Sequence, residues 1–418
     1  MKNQLIKAGL FIIALCLSTV ISSKTIEVCK NCEINTVKKA VELAERGDVI
    51  IVKKGLYQEI EILVDKPLII IGEPGAILDG QMLSEIIVIR SDSVTLDGLE
   101  FHNVGTSNRR DYAAVRVRGS RHFTIKNLII RQPFFGIYLE KSSYGKVYNN
   151  QIYGNAVSEF YAGNGIHLWY AHYIEIFNNT IYQVRDGIYL EFSNNCTIGN
   201  NVSKNNVRYG LHFMFSNNDI VRNDRYENNG AGIAIMFSKD MEASDNYFMD
   251  NWGSAVYGML LKEVYDAKIT NNVFLRNTAG IFVEGCSRIL YEYNDFESNG
   301  WAIYSRGANY ENNFTNNNFI SNSFDIAYTG PLNKNVFNGN YWSDYNGYDL
   351  DKDNIGDIPY KPVKLFSNLV NRSPEAIILL RSIFVDLVEF AEKVSPTITP
   401  NILQDETPRM RMITHDRN

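Results

Sequence analysis

From Gly136 onward one phrase of apolar and polar positions recurs along the chain. It reads Gly136-Ile137-Tyr138-Leu139, then Gly165-Ile166-His167-Leu168, Gly187-Ile188-Tyr189-Leu190 and Gly210-Leu211-His212-Phe213, and continues at Gly232, Gly258 and Gly280. The period is about 22 residues, with extra residues around Glu159 to Gly163 and before Gly258. Apolar residues at alternate positions describe short strands, and a fixed period of this length describes strands stacked coil on coil. Asn punctuates the coils 13 or 14 residues after each phrase begins, as at Asn150, Asn179, Asn201, Asn246, Asn272, Asn294 and Asn316. A second Asn follows about five residues later, as at Asn155, Asn206, Asn251, Asn277 and Asn299. Asn accepts left-handed backbone and bonds to nearby backbone groups, so it suits corners. The Leu pattern and helical half of a leucine-rich repeat are absent. The pattern therefore predicts an all-β chain, a right-handed parallel β-helix with coils of about 22 residues and Asn ladders at its corners.

Weaker copies extend the rod upstream through Ile86 to Ile89 and Ala113 to Val117, separated by a polar insertion from Gly105 to Asp111 that reads as a loop. Ile34, Val37, Val41 and Ala44 stand at helical spacing behind Asn35, a candidate N-cap, and predict a helix that covers the N-terminal end of the solenoid. After Asn340 the repeat stops. Ser373-Pro374-Glu375 reads as a helix start, and Ile377, Leu380, Phe384, Leu387, Val388 and Ala391 then line one face of an amphipathic helix to Val394. That face packs on the rod, on a partner or on a membrane surface. From Ser395 the Pro-bearing end reads as an extended tail that orders only on a partner. The expected organisation is an export signal over 1–22, a β-helix with its caps over 23–362, and a helical tail over 363–418.

The export signal rests on Lys2 and Lys7 before the apolar run from Ala8 to Ile21, with Val20 and Ser22 as small residues at a cleavage position. A hydrophobic content of 45% with 21% charged residues describes a folded protein, and a net charge of −6 without basic runs excludes a nucleic-acid partner. The five Cys residues are too scattered for a disulfide framework. Cys29 and Cys32, just past the export signal, form either a small disulfide or a thiolate copper site.

Counting from each Gly, the second and fourth residues point outward. That places His212 and Met214 on one strand, Met236 on the next coil and His167 two coils away. Thioether and imidazole suit Cu(I), which an exported protein meets; the competing reading is a column covered by a loop or a partner. Glu140 and Glu191 share this face two coils apart, wider than a hydrolase's acid pair requires, and the Asp-Asp and Gly-His-Gly signatures of polygalacturonase-like sites are missing. Asp349, Asp351, Asp353 and Asp357 begin like a Ca²⁺ loop, but Asn354 and Tyr360 depart from its pattern, and an Asx-rich turn explains them as well.

The phrases Asn164 to Tyr170, Arg185 to Ser193, Tyr209 to Ser216, Asn229 to Ser238 and Tyr341 to Asp357 resemble the NosD family, the periplasmic β-helix proteins of nitrous oxide reductase maturation, over nearly the whole mature chain. The resemblance implies a non-enzymatic role: assisting copper insertion into the copper-sulfide centre of nitrous oxide reductase, beside an ABC-type ATPase and its permease at the inner membrane. It makes the apolar C-terminal face a permease dock. The alternative is a secreted polysaccharide-binding or polysaccharide-cleaving β-helix.

Overall fold

The computed structural model describes residues 23–107, 109–253, 256–330, 332–395, 398 and 403–414. The expected export signal lies outside these residues, as does part of the Pro-bearing tail. The chain winds into a parallel β-helix with three long sheets. A 14-stranded sheet A runs from Thr25–Val28 to Val336–Asn338, a 13-stranded sheet B from Gly55–Gln58 to Tyr341–Trp342, and a 12-stranded sheet C from Ile62–Val64 to Phe324–Thr329. Each coil contributes one strand to each sheet in the order A, B, C. Register follows the repeat: Ile166 pairs with Ile188, Ile188 with Leu211 and Leu211 with Ile233. Inward residues form one continuous core, which includes a stack of rings from Tyr226 through Phe248, Phe274, Phe296 and Phe319 to Trp342.

Between sheets A and B each coil turns through a left-handed residue, such as Asn149, Asn178 or Asn200 at φ 55–57°. A fully buried Asn follows it. Asn150 donates from its backbone N (3.0 Å) and Nδ2 (2.9 Å) to Oδ1 of Asn179, which does the same to Asn201. The ladder continues through Asp224, Asn246, Asn272, Asn294, Asn317 and Asn340. Asn317 takes the place expected for Asn316, which is the left-handed corner residue instead. A second ladder runs from Asn206 to Asn299 at the next corner; Asn155 lies outside it, in the loop before Gly165.

At the N-terminal end helix α1, Val37–Leu43, buries Val37, Ala40 and Val41. Its N-cap is Thr36 rather than Asn35: the Thr36 hydroxyl accepts from Lys39 N, while the Glu59 carboxylate accepts from Val37 N and Lys38 N. Cys29 and Cys32 are joined by a disulfide just before this helix.

The C-terminal end departs from the expected single helix and free tail. Helix α2, Leu365–Arg372, precedes the expected start, and a 3₁₀ turn, Pro374–Leu379, leads to α3, Ile383–Val394. The break falls at Arg381, whose φ of 69° is left-handed. Phe366, Val370 and Val385 pack with Phe324 on the last strand of sheet C, and Leu380 and Val388 join them. The described part of the tail, 403–414, is docked on the rod, where Asp405 bridges to Phe337 and Tyr360 and Arg409 to Tyr341 and Ile355. Asp405, fully buried, accepts from the backbone N of Gly339 and Asn340, from Asn340 Nδ2 (2.9 Å) and from Trp342 Nε1 (3.0 Å). It occupies the rung an Asn of one more coil would fill, so the tail is held because the last ladder rung needs an acceptor.

Two outcomes follow. Asp405→Ala leaves several buried N–H groups unpartnered, which costs about 3 kcal/mol and frees the tail; chemical denaturation and faster proteolysis beyond 395 check it. Burial pushes the Asp224 carboxyl up to about 7, against the hydrogen bonds from Tyr226 and Asn201. Because this lies above its unfolded value, the stability this carboxyl contributes is fullest in acid and falls as pH rises towards 7. Asp224→Asn, which completes the ladder, should match the wild type near pH ~4 and exceed it by about 2–4 kcal/mol near pH ~8, measured by urea denaturation.

Candidate functional site

Several strands of sheet C pair at their first residue, leave the second unpaired and resume at the third, as Asp186 with Tyr209 and then Ile188 with Leu211. A Cβ on Gly210 would sit 2.6 Å from the Gly232 carbonyl oxygen, so glycine at this inward position lets the coils approach closely. Two inward residues in succession shift the alternation, and the residue before each Gly then joins the outward face. The face of consecutive coils therefore carries Asn164, His167 and Trp169, then Asp186, Tyr189 and Glu191, then Tyr209, His212 and Met214. Counting alternation from the Gly misses Asn164, Asp186 and Tyr209. The available signal was the Gly repeating in register where a strand would favour a side chain.

Rings of the middle column stack in order: Tyr138 on His167 at 4.5 Å, His167 on Tyr189 at 4.9 Å and Tyr189 on His212 at 4.4 Å. Stacking buries the column although it faces outward; His167 is 6% and His212 4% exposed. Burial pushes the His167 pKa down to about 3, so its imidazole is neutral at neutral pH. His167 Nδ1 lies 3.3 Å from Asn164 Nδ2, and its Nε2 has no partner among the described residues. His212 Nδ1 faces Asp186 Oδ2 at 3.5 Å, an electrostatic contact too long for a well-formed hydrogen bond, and its Nε2 also lacks a partner among the described residues. Asp186 is fully buried, which by itself raises its pKa. His212 and the two-pronged Arg208 guanidinium, with Nε at 2.8 Å, outweigh burial and hold it at about 2.

The expected His/Met quartet divides. Met214 and Met236 are register partners in adjacent coils, roughly 5 Å apart, with His212 two residues before Met214. Tyr189 Oη donates to Met214 Sδ at 3.6 Å. His167 is separated from them by the intervening Tyr189 ring and cannot share an ion with His212. His212, Met214 and Met236 thus remain on one outward face of two adjacent coils, and imidazole and thioether are donor types that fit Cu(I). Next to the methionines runs an exposed ridge missed by sequence reasoning: Tyr170, Phe192, Phe215 and Phe237 stack at 4.9–5.1 Å. All four hold left-handed backbone, φ 49–53°, uncommon for bulky residues. Their signal was an aromatic at one fixed place in four successive coils.

The other expected sites resolve as follows. Asp349, Asp351 and Asp353 bring carboxylate oxygens within 4.8 Å of one another, whereas Asp357 turns away to accept from Leu350 N. Asp349 accepts from the backbone N of Lys352 and Asn354, as in an Asx-rich turn. Glu140 is tied to Arg118 at 2.8 Å and separated from Glu191 by Trp169. On the C-terminal face Leu380 and Val388 pack on the rod, while Ile377, Phe384, Leu387 and Ala391 stay exposed. No described helix is long and apolar enough to cross a membrane.

The family described as "Periplasmic copper-binding protein (NosD)" matches residues 149–347, the stretch that holds His167, His212, Met214 and Met236, and a "Right handed beta helix region" matches 82–165. "Probable ABC transporter binding protein NosD" of Stutzerimonas stutzeri is 28% identical over 380 residues, 86% of each chain, and its counterpart of Pseudomonas aeruginosa is 28% identical over 84% of this chain and 85% of its own. The chain belongs to the NosD family. Among solved structures this NosD-family rod is similar to an alginate lyase, AlyF-OU02 (TM-score 0.60, 15% identity, 77% of this chain and 85% of that one), a likeness of fold alone.

The burial of His167 makes a prediction. Its ring nitrogens should show no titration between about pH 5 and 8 in long-range ¹H–¹⁵N spectra, because the shift to about 3 leaves it neutral throughout.

Proposed function

We propose that this NosD-family chain is a periplasmic accessory protein for assembly of the copper-sulfide centre of nitrous oxide reductase, acting with an ABC-type ATPase and permease. The observation that carries the reading is the juxtaposition of Met214 and Met236 with His212, whose buried Nε2 has no partner among the described residues. Copper is cargo in this reading. Thioethers and an imidazole bind Cu(I) without a thiolate, so they can pass it on by ligand exchange. Asp186 orients the His212 ring and Arg208 balances its charge, so Nε2 is the atom offered to the metal. The adjoining Tyr170-to-Phe237 ridge offers the reductase an apolar contact beside the cargo.

The second contact is at the other end. α3 leaves Ile383 at 77%, Leu387 at 61%, Phe390 at 65% and Val394 at 68% exposed, an apolar face too short to span a bilayer and suited to a permease partner. ATP-driven motion of that partner would reach the rod through the α2–α3 pair, which is packed on the last strand of sheet C.

Anaerobic Cu(I) loading tests the first part: the wild type retains copper through desalting, and His212→Ala/Met214→Ala/Met236→Ala loses it, while His167→Ala keeps most of it. Equal copper in the wild type and triple variant rejects the site. For the second part, Leu387→Glu/Phe390→Glu, both exposed, should release the protein from membranes holding the permease without lowering its melting temperature; retention on those membranes rejects the dock.

A further inference from the structure

The outward face of sheet C also floors a cleft that lies nearer the N-terminus than His212, Met214 and Met236. Its volume is about 560 Å³, and its floor is the outward face of sheet C between Glu61 and Trp169. One wall is the polar insertion before Tyr112, fastened by Arg116, whose guanidinium donates to the Asp111 carbonyl. Arg116 is 6% exposed, lies 2.6 Å from Glu85 and 3.5 Å from Glu140, and covers the Tyr138 ring at 4.5 Å. A charge on an outward strand position is ordinarily solvated. Here it is desolvated, paired and fixed, which costs free energy that the rod's own core does not need.

We propose that this cleft binds a chain of acidic sugars, a carboxylate-bearing oligosaccharide. Its lining alternates planar guanidinium and carboxylate groups, which pair with the adjacent hydroxyls of a sugar ring as donor and acceptor. Trp169, half-buried at the end of the cleft, supplies aromatic surface for the apolar C–H face of the ring, whereas Tyr138 is covered by Arg116 on one side and His167 on the other. Arg90 and Arg110 stand on the rim without a carboxylate partner among the described residues; of the lining carboxylates Glu85 and Glu140 are in ion pairs, Glu61 accepts from Ser84 Oγ at 2.8 Å, and Asp111 is in no ion pair among the described residues. The two free guanidinium groups, set beside the Asp111 carboxylate, offer paired contacts to a ligand that carries both carboxylates and hydroxyls. The cleft crosses five coils, from the Glu61 coil to the Trp169 coil, on the order of 20 Å along the rod, and the rise per sugar of an extended glycan is close to the rise per coil. This inference does not rest on the copper reading.

The test uses the mature chain with tetramannuronate and tetragalacturonate as probes and cellotetraose as the neutral control, followed by calorimetry. Saturable binding of at least one acidic tetramer with a Kd of about 1 mM or tighter is expected. Arg90→Gln/Arg110→Gln, both on the exposed rim, should weaken it at least about tenfold, as should Trp169→Ala; the His212/Met214/Met236 triple variant should leave it unchanged. No saturation with either acidic tetramer, cellotetraose binding as tightly, or affinity within twofold of wild type in the rim variant would each overturn the assignment.

Discussion

Turning a strand through a corner inside a packed rod leaves backbone N–H groups buried away from water, and the chain satisfies them with a side-chain amide from the following coil. Asn150 takes the Leu128 backbone N–H, Asn179 and Asn201 each take a backbone N–H and a side-chain N–H from the coil before, and all three give their own Nδ2 to the coil after. That reciprocity fixes the register of every coil on its neighbours, since a slip of one residue would orphan each rung. It also explains why both ends need attention. At the N-terminal end α1 covers the core; at the C-terminal end Asp405 supplies the acceptor that no further coil provides.

Fixed register has a chemical consequence on the outside of the rod. Any residue type recurring at one place in the coil becomes a column of side chains at strand spacing. Tyr138, His167, Tyr189 and His212 become a ring stack, Met214 and Met236 become neighbours, and Tyr170, Phe192, Phe215 and Phe237 become a ridge. A column can be continuous only where the corner tolerates it, and the ridge residues sit in left-handed backbone that their bulk disfavours. Arg208 and Asp186 lie where the ring stack meets the break in strand alternation; a buried carboxylate there is sustained by its cationic neighbour Arg208.

The two ends of the chain play unlike parts. The N-terminal cap is sealed by a short amphipathic helix with reciprocal capping from Thr36 and Glu59. The C-terminal end is covered on one side by the returning tail and on the other by α2, α3 and the turn between them, which bury only part of their apolar surface. The left-handed Arg381 divides what periodicity reads as one helix, because Leu380 and Val385 must both reach the last strand of sheet C.

By itself the sequence determined the solenoid, its coil length and its corner residues, because each of these depends on a local pattern repeated at one period. It also placed His212, Met214 and Met236 on one face and two coils, since strand alternation is a property of the backbone. What it did not determine depends on contacts between residues far apart in the chain. The break in alternation at Gly210 and its equivalents, which brings Asp186 outward, is visible only once coils pack on one another. The separation of His167 from His212 depends on the Tyr189 ring lying between them. Asn317 rather than Asn316, and Thr36 rather than Asn35, were one-residue choices that only the hydrogen-bond geometry decides. The fate of Asp405 lay furthest from reach: nothing local marks it, and only the folded rod, ending at Asn340 with unmet donors, gives that carboxylate its place.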